Sequence, residues 1–215
     1  MHSTRITAIR HGETAWNVDN RIQGQLDVGL NEKGRWQAER VGEALAGEDI
    51  DVIYSSDLWR AYDTALSVAK PHSMGLQTDE GLRERGFGKF EGKTYAEIEA
   101  TLPEQALLWR TRVPDFAPEG GESLLLFRER VTQCVSQLAA NNLGKHIVVV
   151  SHGGVMDILY RAATSLDLQA PRTWALGNAA INRLLWNGEN FSLVGWADTR
   201  HLDEARDEIQ DETTT

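Results

Sequence analysis

His146-Ile147-Val148-Val149-Val150-Ser151-His152-Gly153-Gly154 is the stretch that decides the fold. Four consecutive apolar β-type residues leave no face for solvent, so the segment reads as a central strand covered on both sides. It ends in a His-Gly pair and leads into a helix of about ten residues. A second strand, over residues 5–9, ends the same way, at Arg10-His11-Gly12. In open α/β sheets ligands collect beyond the carboxyl ends of the strands. A Gly after each His lets the backbone turn sharply and come close to a ligand. If the two strands are neighbours, the two imidazoles converge over one spot.

The surrounding sequence supplies the other layers. Asn31 caps a helix over 32–46 with Ala38, Val41 and Leu45 on one face. Residues 51–55 read as a strand, followed by a helix that Ser56 or Asp57 caps and Pro71 stops, with Leu58, Ala61, Ala65 and Ala69 as its buried stripe. Residues 95–112 predict one or two short helices broken near Pro103, and 112–122, with Pro114, Pro118, Gly120 and Gly121, an irregular loop. Leu124, Phe127, Val131, Cys134, Val135 and Leu138 place a helix over 123–141. Two later strands, around 180–186 and 191–197, flank Asn187-Gly188, a hairpin turn that makes the sheet mixed. The expected fold class is α/β: a three-layer αβα sandwich with a mostly parallel mixed sheet and helices on both faces.

At 215 residues the chain suits one domain, or one domain with an inserted cap, and can bury a core without staples. Cys134 is the only cysteine, so an intrachain disulfide and a Cys-based zinc site are both excluded; core filler is its expected role. Neither a signal-peptide pattern nor an apolar run of membrane-spanning length is present, which makes the cytoplasm the expected location. The formal net charge of −10 disfavours nucleic acid and anionic membranes as partners. Six carboxylates fall within residues 203–212, so 201–215 reads as a solvated acidic tail. An anionic ligand must therefore be held by a local cationic pocket in an acidic protein.

Arg60 fits such a pocket. It falls in the first turn of the helix after the second strand, where free N–H groups and the helix dipole attract anions, and Arg makes bidentate contacts to phosphate. Arg10, Arg60, His11 and His152 together would form a phosphate cage. Phosphoryl transfer then needs a nucleophile, for which a neutral imidazole serves near pH 7, and an acid for the leaving oxygen. Among 32 acidic residues, spacing leaves both Glu13 and Glu84 open as that acid.

Arg10-His11-Gly12-Glu13-Thr14 resembles the signature of the histidine phosphatase superfamily, which includes the cofactor-dependent phosphoglycerate mutases. The resemblance continues in order through Trp16-Asn17, Arg21-Ile22-Gln23-Gly24, Asp27 and Leu30, then Ser55-Ser56-Asp57-Leu58 with Arg60, Ala61 and Thr64-Ala65. Leu82-Arg83-Glu84, Phe87-Gly88, Glu91-Gly92, Gly121-Glu122-Ser123 and Ser151-His152-Gly153-Gly154 complete it, over roughly residues 4–197. It implies a phosphoglycerate mutase-like fold and a set of roles. His11 attacks phosphorus, and Arg10, Arg60 and a cationic His152 bind the phosphoryl oxygens. Glu84 protonates the leaving alcohol and then activates water, while Glu13 takes a lesser, orienting part. Asn17 donates to the phosphoryl group, Gln23 and Gly24 shape the mouth, and Gly153 lies against the substrate. An insert at about 85–122 forms a cap that sets specificity. The resemblance implies no metal and no cofactor, a small phosphorylated metabolite or inorganic phosphate as partner, and a homodimer through an edge strand.

Mutase and phosphatase share the phosphohistidine step and differ in the final acceptor. The mutases place Tyr where this chain has Phe87, and they carry an adjacent Arg-Arg pair whose nearest equivalents here are Arg110 and Arg112, split by Thr111. The run Phe87-Gly88-Lys89-Phe90-Glu91-Gly92 is similar to the broad-specificity and α-ribazole phosphatases, which favours hydrolysis over mutase chemistry. A metal-dependent hydrolase built on His11, Glu13 and His152 lacks a His-Glu-x-x-His helix. A non-catalytic phospho-ligand binder would not need both His11 and Glu84. Trp16, Phe87, Phe90 and Trp109 are candidates for an apolar mouth, and Arg83, Arg85, Lys89, Lys93, Arg110 and Arg112 for a second acidic group or for plain surface.

Overall fold

The structure is a computed structural model and describes residues 3–203. One six-stranded sheet, in the order β3-β2-β4-β1-β5-β6, forms the centre. Its strands are β1 (Thr4–Arg10), β2 (Val52–Ser55), β3 (Gln77–Thr78), β4 (His146–Ser151), β5 (Ile181–Trp186) and β6 (Phe191–Asp198). β3, β2, β4 and β1 are mutually parallel, whereas β5 runs antiparallel to β1 and β6 antiparallel to β5. The hairpin expected at Asn187 is this β5–β6 pair. The helices are α1 (Ala15–Val18), α2 (Glu32–Leu45), α3 (Trp59–His72), α4 (Tyr95–Thr101), α5 (Pro103–Arg110), α6 (Leu124–Ala140) and α7 (Gly153–Thr164).

Every residue of β4 is buried, as its apolar run requires. Side chains alternate across a strand, so Ile147 and Val149 pack on one face with Phe127, Val131 and Val135 of α6 and Val155, Ile158 and Leu159 of α7. Val148 and Val150 pack on the other with Val41 and Leu45 of α2 and Ala61, Ala65 and Val68 of α3. These are the two helical layers of an αβα sandwich. A third, smaller core is separate from these two: Phe90, Ile98 and Ala106 are fully buried among Ile22, Phe87, Tyr95, Leu102, Trp109 and Phe116.

The observed helices depart from expectation at α3. Its N-cap position is Leu58, with no side-chain cap hydrogen bond, because Asp57 instead pairs with Arg83 and Ser56 Oγ accepts from Leu58 N–H at 3.3 Å. Nor does Pro71 stop the helix: it sits in the last turn, which continues to His72 and ends at Ser73 in the left-handed region, φ 52°. Pro cannot bond the carbonyl of Ser67 four residues back, and that carbonyl instead faces Gly42 of α2, where a Cβ would overlap it. Of the acidic tail, residues 204–215 lie outside the described residues.

Candidate active site

β1 and β4 are neighbours, with Arg10 registered against Ser151. Their carboxyl ends therefore bring His11 and His152 together, ring centroids 5.3 Å apart. His11 is tied in place through its backbone: its N–H donates to Ser151 O at 2.9 Å, and its carbonyl accepts from Asn178 Nδ2 at 3.0 Å. Thr64 of α3 binds the next residue, accepting from Gly12 N–H at 3.1 Å.

The His11 ring is 3% exposed. Its Nδ1 lies 2.7 Å from Gly12 O. A carbonyl only accepts, so the proton sits on Nδ1 and the Nε2 lone pair is free. Burial, then the charges of Arg60 and Arg10, hold the His11 pKa well below its ordinary 6.5. His152 is fully buried, and neither of its ring nitrogens has a partner among the described residues. Burial, Arg60, His11 and Arg10 likewise push its pKa well down. The cationic His152 implied by the resemblance belongs to the anion-bound site, where a phosphoryl group would favour the charged form.

Both arginines are drawn into the cage. Arg60 is 1% exposed and donates through its Nη atoms to Leu26 O (2.8 Å) and Gly24 O (2.7 Å), while its Nε has no partner among the described residues. Burial lowers its pKa to about 10, against opposing attraction from Glu84 and Asp27. Gly24 reaches this carbonyl geometry at φ +52°, and a Cβ there would overlap the Glu91 carboxylate, so glycine is required. Arg10 donates to Leu176 O and leaves Nε unpartnered. Burial lowers its pKa as well, and Gly153 leaves it room, since a Cβ would sit 3.3 Å from Arg10 Nε. Two guanidinium ions beside the imidazoles, against the single carboxylate of Glu84, leave the cage net positive, suited to a phosphomonoester dianion.

Glu84 stands across the cage at the first turn of α7. Its carboxylate accepts from Gly154 N–H (2.9 Å) and Arg85 N–H (2.8 Å). Glu13, the rival acid, turns away to Asn31 Nδ2 and Lys33 Nζ, both at 3.0 Å. Asn17 has a structural duty as well: its Oδ1 accepts from Thr14 and Asn178 in the capping box of α1. Gln23 is buried with Oε1 unpartnered among the described residues.

Of the six basic residues considered for a second acidic group, Arg85 and Arg112 line the cavity beside Glu84. Arg110 instead pairs with Glu99 at the surface (3.6 Å), and Arg83 with Asp57. Phe87 and Trp109 line the same cavity, whereas Phe90 is fully buried in the third core with Ile98 and Ala106. Cys134 is partly buried against the α6 core, its thiol pushed up to about 12 by burial.

Sequence reasoning missed Arg130. From α6 it grips Glu122 with Nε and Nη2 (2.8 and 2.7 Å) and donates to the carbonyls of Gly81, Arg83 and Glu84 (3.0, 3.0 and 3.2 Å). It also missed Asn178, Asp157, Arg172 and Trp174. No local pattern marks any of them.

The chain matches the histidine phosphatase superfamily (branch 1) over residues 6–199. It is 39% identical over 203 residues to phosphoglycerate mutase-like protein 4 of Arabidopsis thaliana, covering 93% of this chain and 87% of that one. It is 35% identical over 208 residues to the glucosyl-3-phosphoglycerate phosphatase of Mycobacterium tuberculosis, covering 91% and 93%. Among solved structures, Bacillus stearothermophilus YhfR superposes with a TM-score of 0.85 at 30% identity, covering 93% of this chain and 99% of that one. With the His-Gly strand ends of β1 and β4 meeting over a buried cationic cage, the chain belongs to the histidine phosphatase superfamily.

Proposed function

We propose that this enzyme hydrolyses small phosphomonoesters through a phosphohistidine at His11. The observation that carries the reading is the buried His11, its Nδ1 committed to Gly12 O so that Nε2 keeps its lone pair, with the His152 ring 5.3 Å away and the buried Arg60 and half-buried Arg10 beside them. The phosphoryl oxygens take the donors of Arg10, Arg60, His152 and Asn17, with Gly153 and the Gln23-Gly24 loop closing the mouth. His11 Nε2 forms a bond to phosphorus as the ester P–O bond breaks, and Glu84 gives its proton to the departing oxygen. In the second half Glu84 takes a proton from water, whose oxygen attacks phosphorus; the P–N bond breaks and inorganic phosphate leaves. Preorganised cationic donors stabilise the charge that develops on the equatorial oxygens. Water, rather than a second hydroxyl, is the acceptor in this reading. Phe87 stands where mutases carry Tyr, and Arg110, half of the split pair, is engaged by Glu99 outside the cavity.

The insert at 85–122 acts as the cap that selects the leaving group, and neither metal nor cofactor takes part. A cytoplasmic location and a homodimer through the edge strand β6 belong to the same reading, tested by fractionation and by sedimentation equilibrium. The central test is trapping. Wild-type chain quenched in acid after brief exposure to ³²P-labelled phosphomonoester should carry acid-labile label, and His11→Ala none, with turnover on the wild type surviving EDTA. Robust turnover by His11→Ala would sink the proposal.

A further inference from the structure

The short helix α1 carries Asn17 yet contributes no buried residue to any core, so apolar packing does not decide how it stands against the cage. The residues that lead into it are anchored elsewhere: Gly12 N–H donates to Thr64 Oγ1 of α3 (3.1 Å) and Glu13 N–H to Gln37 Oε1 of α2 (2.8 Å). Those bonds fix where the chain leaves β1, not the angle at which α1 then stands. Inside α1 the capping box turns the Asn17 amide, whose Oδ1 accepts from Thr14 N–H (3.0 Å) and Thr14 Oγ1 (3.1 Å). With the oxygen committed, the Nδ2 end is what Asn17 has left to donate.

Asn178 joins that amide to the nucleophile. A side-chain NH₂ has two donors, and Asn178 Nδ2 gives one to His11 O (3.0 Å) and one to Asn17 Oδ1 (3.2 Å). The residues around it clamp the end of β1. Leu176 O accepts from the Arg10 guanidinium, and Ala179 N–H reaches Arg10 O (3.0 Å) and His11 O (3.3 Å). Ala179 sits at φ 58°, and of the six non-glycine residues in the left-handed region among the described residues it is the one that is buried. Such a conformation is costly without glycine and persists where the surrounding contacts over-determine it.

We propose that Asn178 is a positioning residue for phosphoryl transfer: its amide locks α1 to the end of β1, so that the Asn17 donor and the His11 nucleophile meet one phosphoryl group in a fixed register. It acts through Asn17 rather than on the substrate. Its two bonds differ in what replaces them. His11 O keeps the Ala179 N–H when Asn178 is truncated, whereas the tie between α1 and the strand end is lost. The proposal rests on the phosphatase reading of the cage, in which Asn17 binds a phosphoryl oxygen, and the test separates the two.

The test is a double-mutant cycle of Asn17→Ala with Asn178→Ala. It is read by kcat/KM on p-nitrophenyl phosphate and on an alkyl phosphate, and by titration calorimetry with inorganic phosphate. In the otherwise unaltered chain Asn178→Ala should lower kcat/KM about tenfold or more. The factor should be the same on both substrates, because a grip on the phosphoryl group does not depend on the basicity of the leaving oxygen. On top of Asn17→Ala the same change should cost less than about threefold, since the donor it places is already gone. Phosphate affinity should follow the same pattern. Asn178→Ser, too short to bridge both acceptors, enters the cycle with the same expectation should Asn178→Ala not fold. If the two losses multiply, Asn178 braces the fold independently of Asn17 and the proposal is overturned. An unchanged kcat/KM in Asn178→Ala, or a loss confined to the alkyl phosphate, would overturn it too. Phosphate binding that keeps the non-multiplicative pattern in a chain that forms no phosphoenzyme would retain the clamp and remove the phosphatase reading.

Discussion

At the scale of single residues, the two halves of the reaction depend on different atoms. Attack needs the lone pair on His11 Nε2, which the bond from Nδ1 to Gly12 O leaves free. Expulsion of the alcohol needs a proton from Glu84, and that need grows with the basicity of the leaving oxygen. Glu84→Gln should therefore lower kcat/KM, which reports transfer to His11, about 10²–10⁴-fold on alkyl phosphates but far less on p-nitrophenyl phosphate, whose phenolate leaves unaided; kcat, which includes the shared dephosphorylation, should fall on both. A steady-state comparison of the two substrates checks this, and equal losses in kcat/KM would reassign the acid. Gly154 is the matching backbone test. A Cβ at that position would overlap Glu84 Oε1 and crowd Phe127, so Gly154→Ala should displace the carboxylate and leave the cage in place. The expected result is a fall in kcat of tenfold or more with inorganic phosphate still inhibiting at its wild-type concentration, since a small misplacement of a catalytic group is enough to cost such factors.

Elements decide which of these residues meet. The strand-end argument was legible because the continuous apolar run of β4 and the shorter, broken one of β1 each lead to a His-Gly pair, and the parallel register of the strands brings the pairs together. The α2 and α6 stripes were legible from helical spacing for the same reason: burial on one face repeats in the sequence. Resolving Glu84 from Glu13 was a different matter. Both lie in irregular segments, and only the order of motifs shared with a family separated them. Arg130 and Asp157 left no trace because the partners that tie them to the site, Arg83 O and Arg112, lie 47 and 45 residues away, and Trp174 belongs to a wall assembled from separate elements. Arg130 carries a prediction at this scale. It braces the carbonyls of Gly81, Arg83 and Glu84 from α6 and holds Glu122, whose Oε2 in turn accepts from Gly86 N–H at 2.8 Å. Arg130→Met keeps an unbranched apolar stem and removes the guanidinium, with both its donors and its contact over the Phe127 ring. The chain should lose about 1–3 kcal/mol of stability by denaturant melting. Its kcat/KM should fall on alkyl phosphates more than on p-nitrophenyl phosphate, the mark of a displaced acid. A loss of stability with an unchanged ratio between the two substrates would make Arg130 a brace of the fold alone.

For the whole molecule, the cage sets how stability varies with pH. His11, His152 and also His146, which is buried against Thr7 Oγ1 at 2.9 Å, all have folded pKa values below the ordinary 6.5, with burial the leading cause in each. Above pH 6.5 these rings are neutral in both folded and unfolded chains, and their protonation contributes nothing. As the pH falls through 6.5, the unfolded chain takes up protons that the folded chain refuses, so stability declines by about 1.4 kcal/mol per pH unit for each such histidine. The carboxylates held low by partners, Asp57 by Arg83 and Glu48 by Arg183, lose their contribution only as the pH falls below their unfolded values near 4, which leaves pH 6.5 to 5 as the histidine window. Denaturant melts in that window should show wild-type stability falling steeply and the His11→Asn/His152→Asn double variant falling less, by about 2.8 kcal/mol per pH unit. Identical slopes would mean that both rings already accept protons in the folded cage. Inorganic phosphate should flatten the wild-type slope, because a bound anion lets His152 carry its proton in the folded state; the double variant, with both imidazoles gone, should show no such flattening.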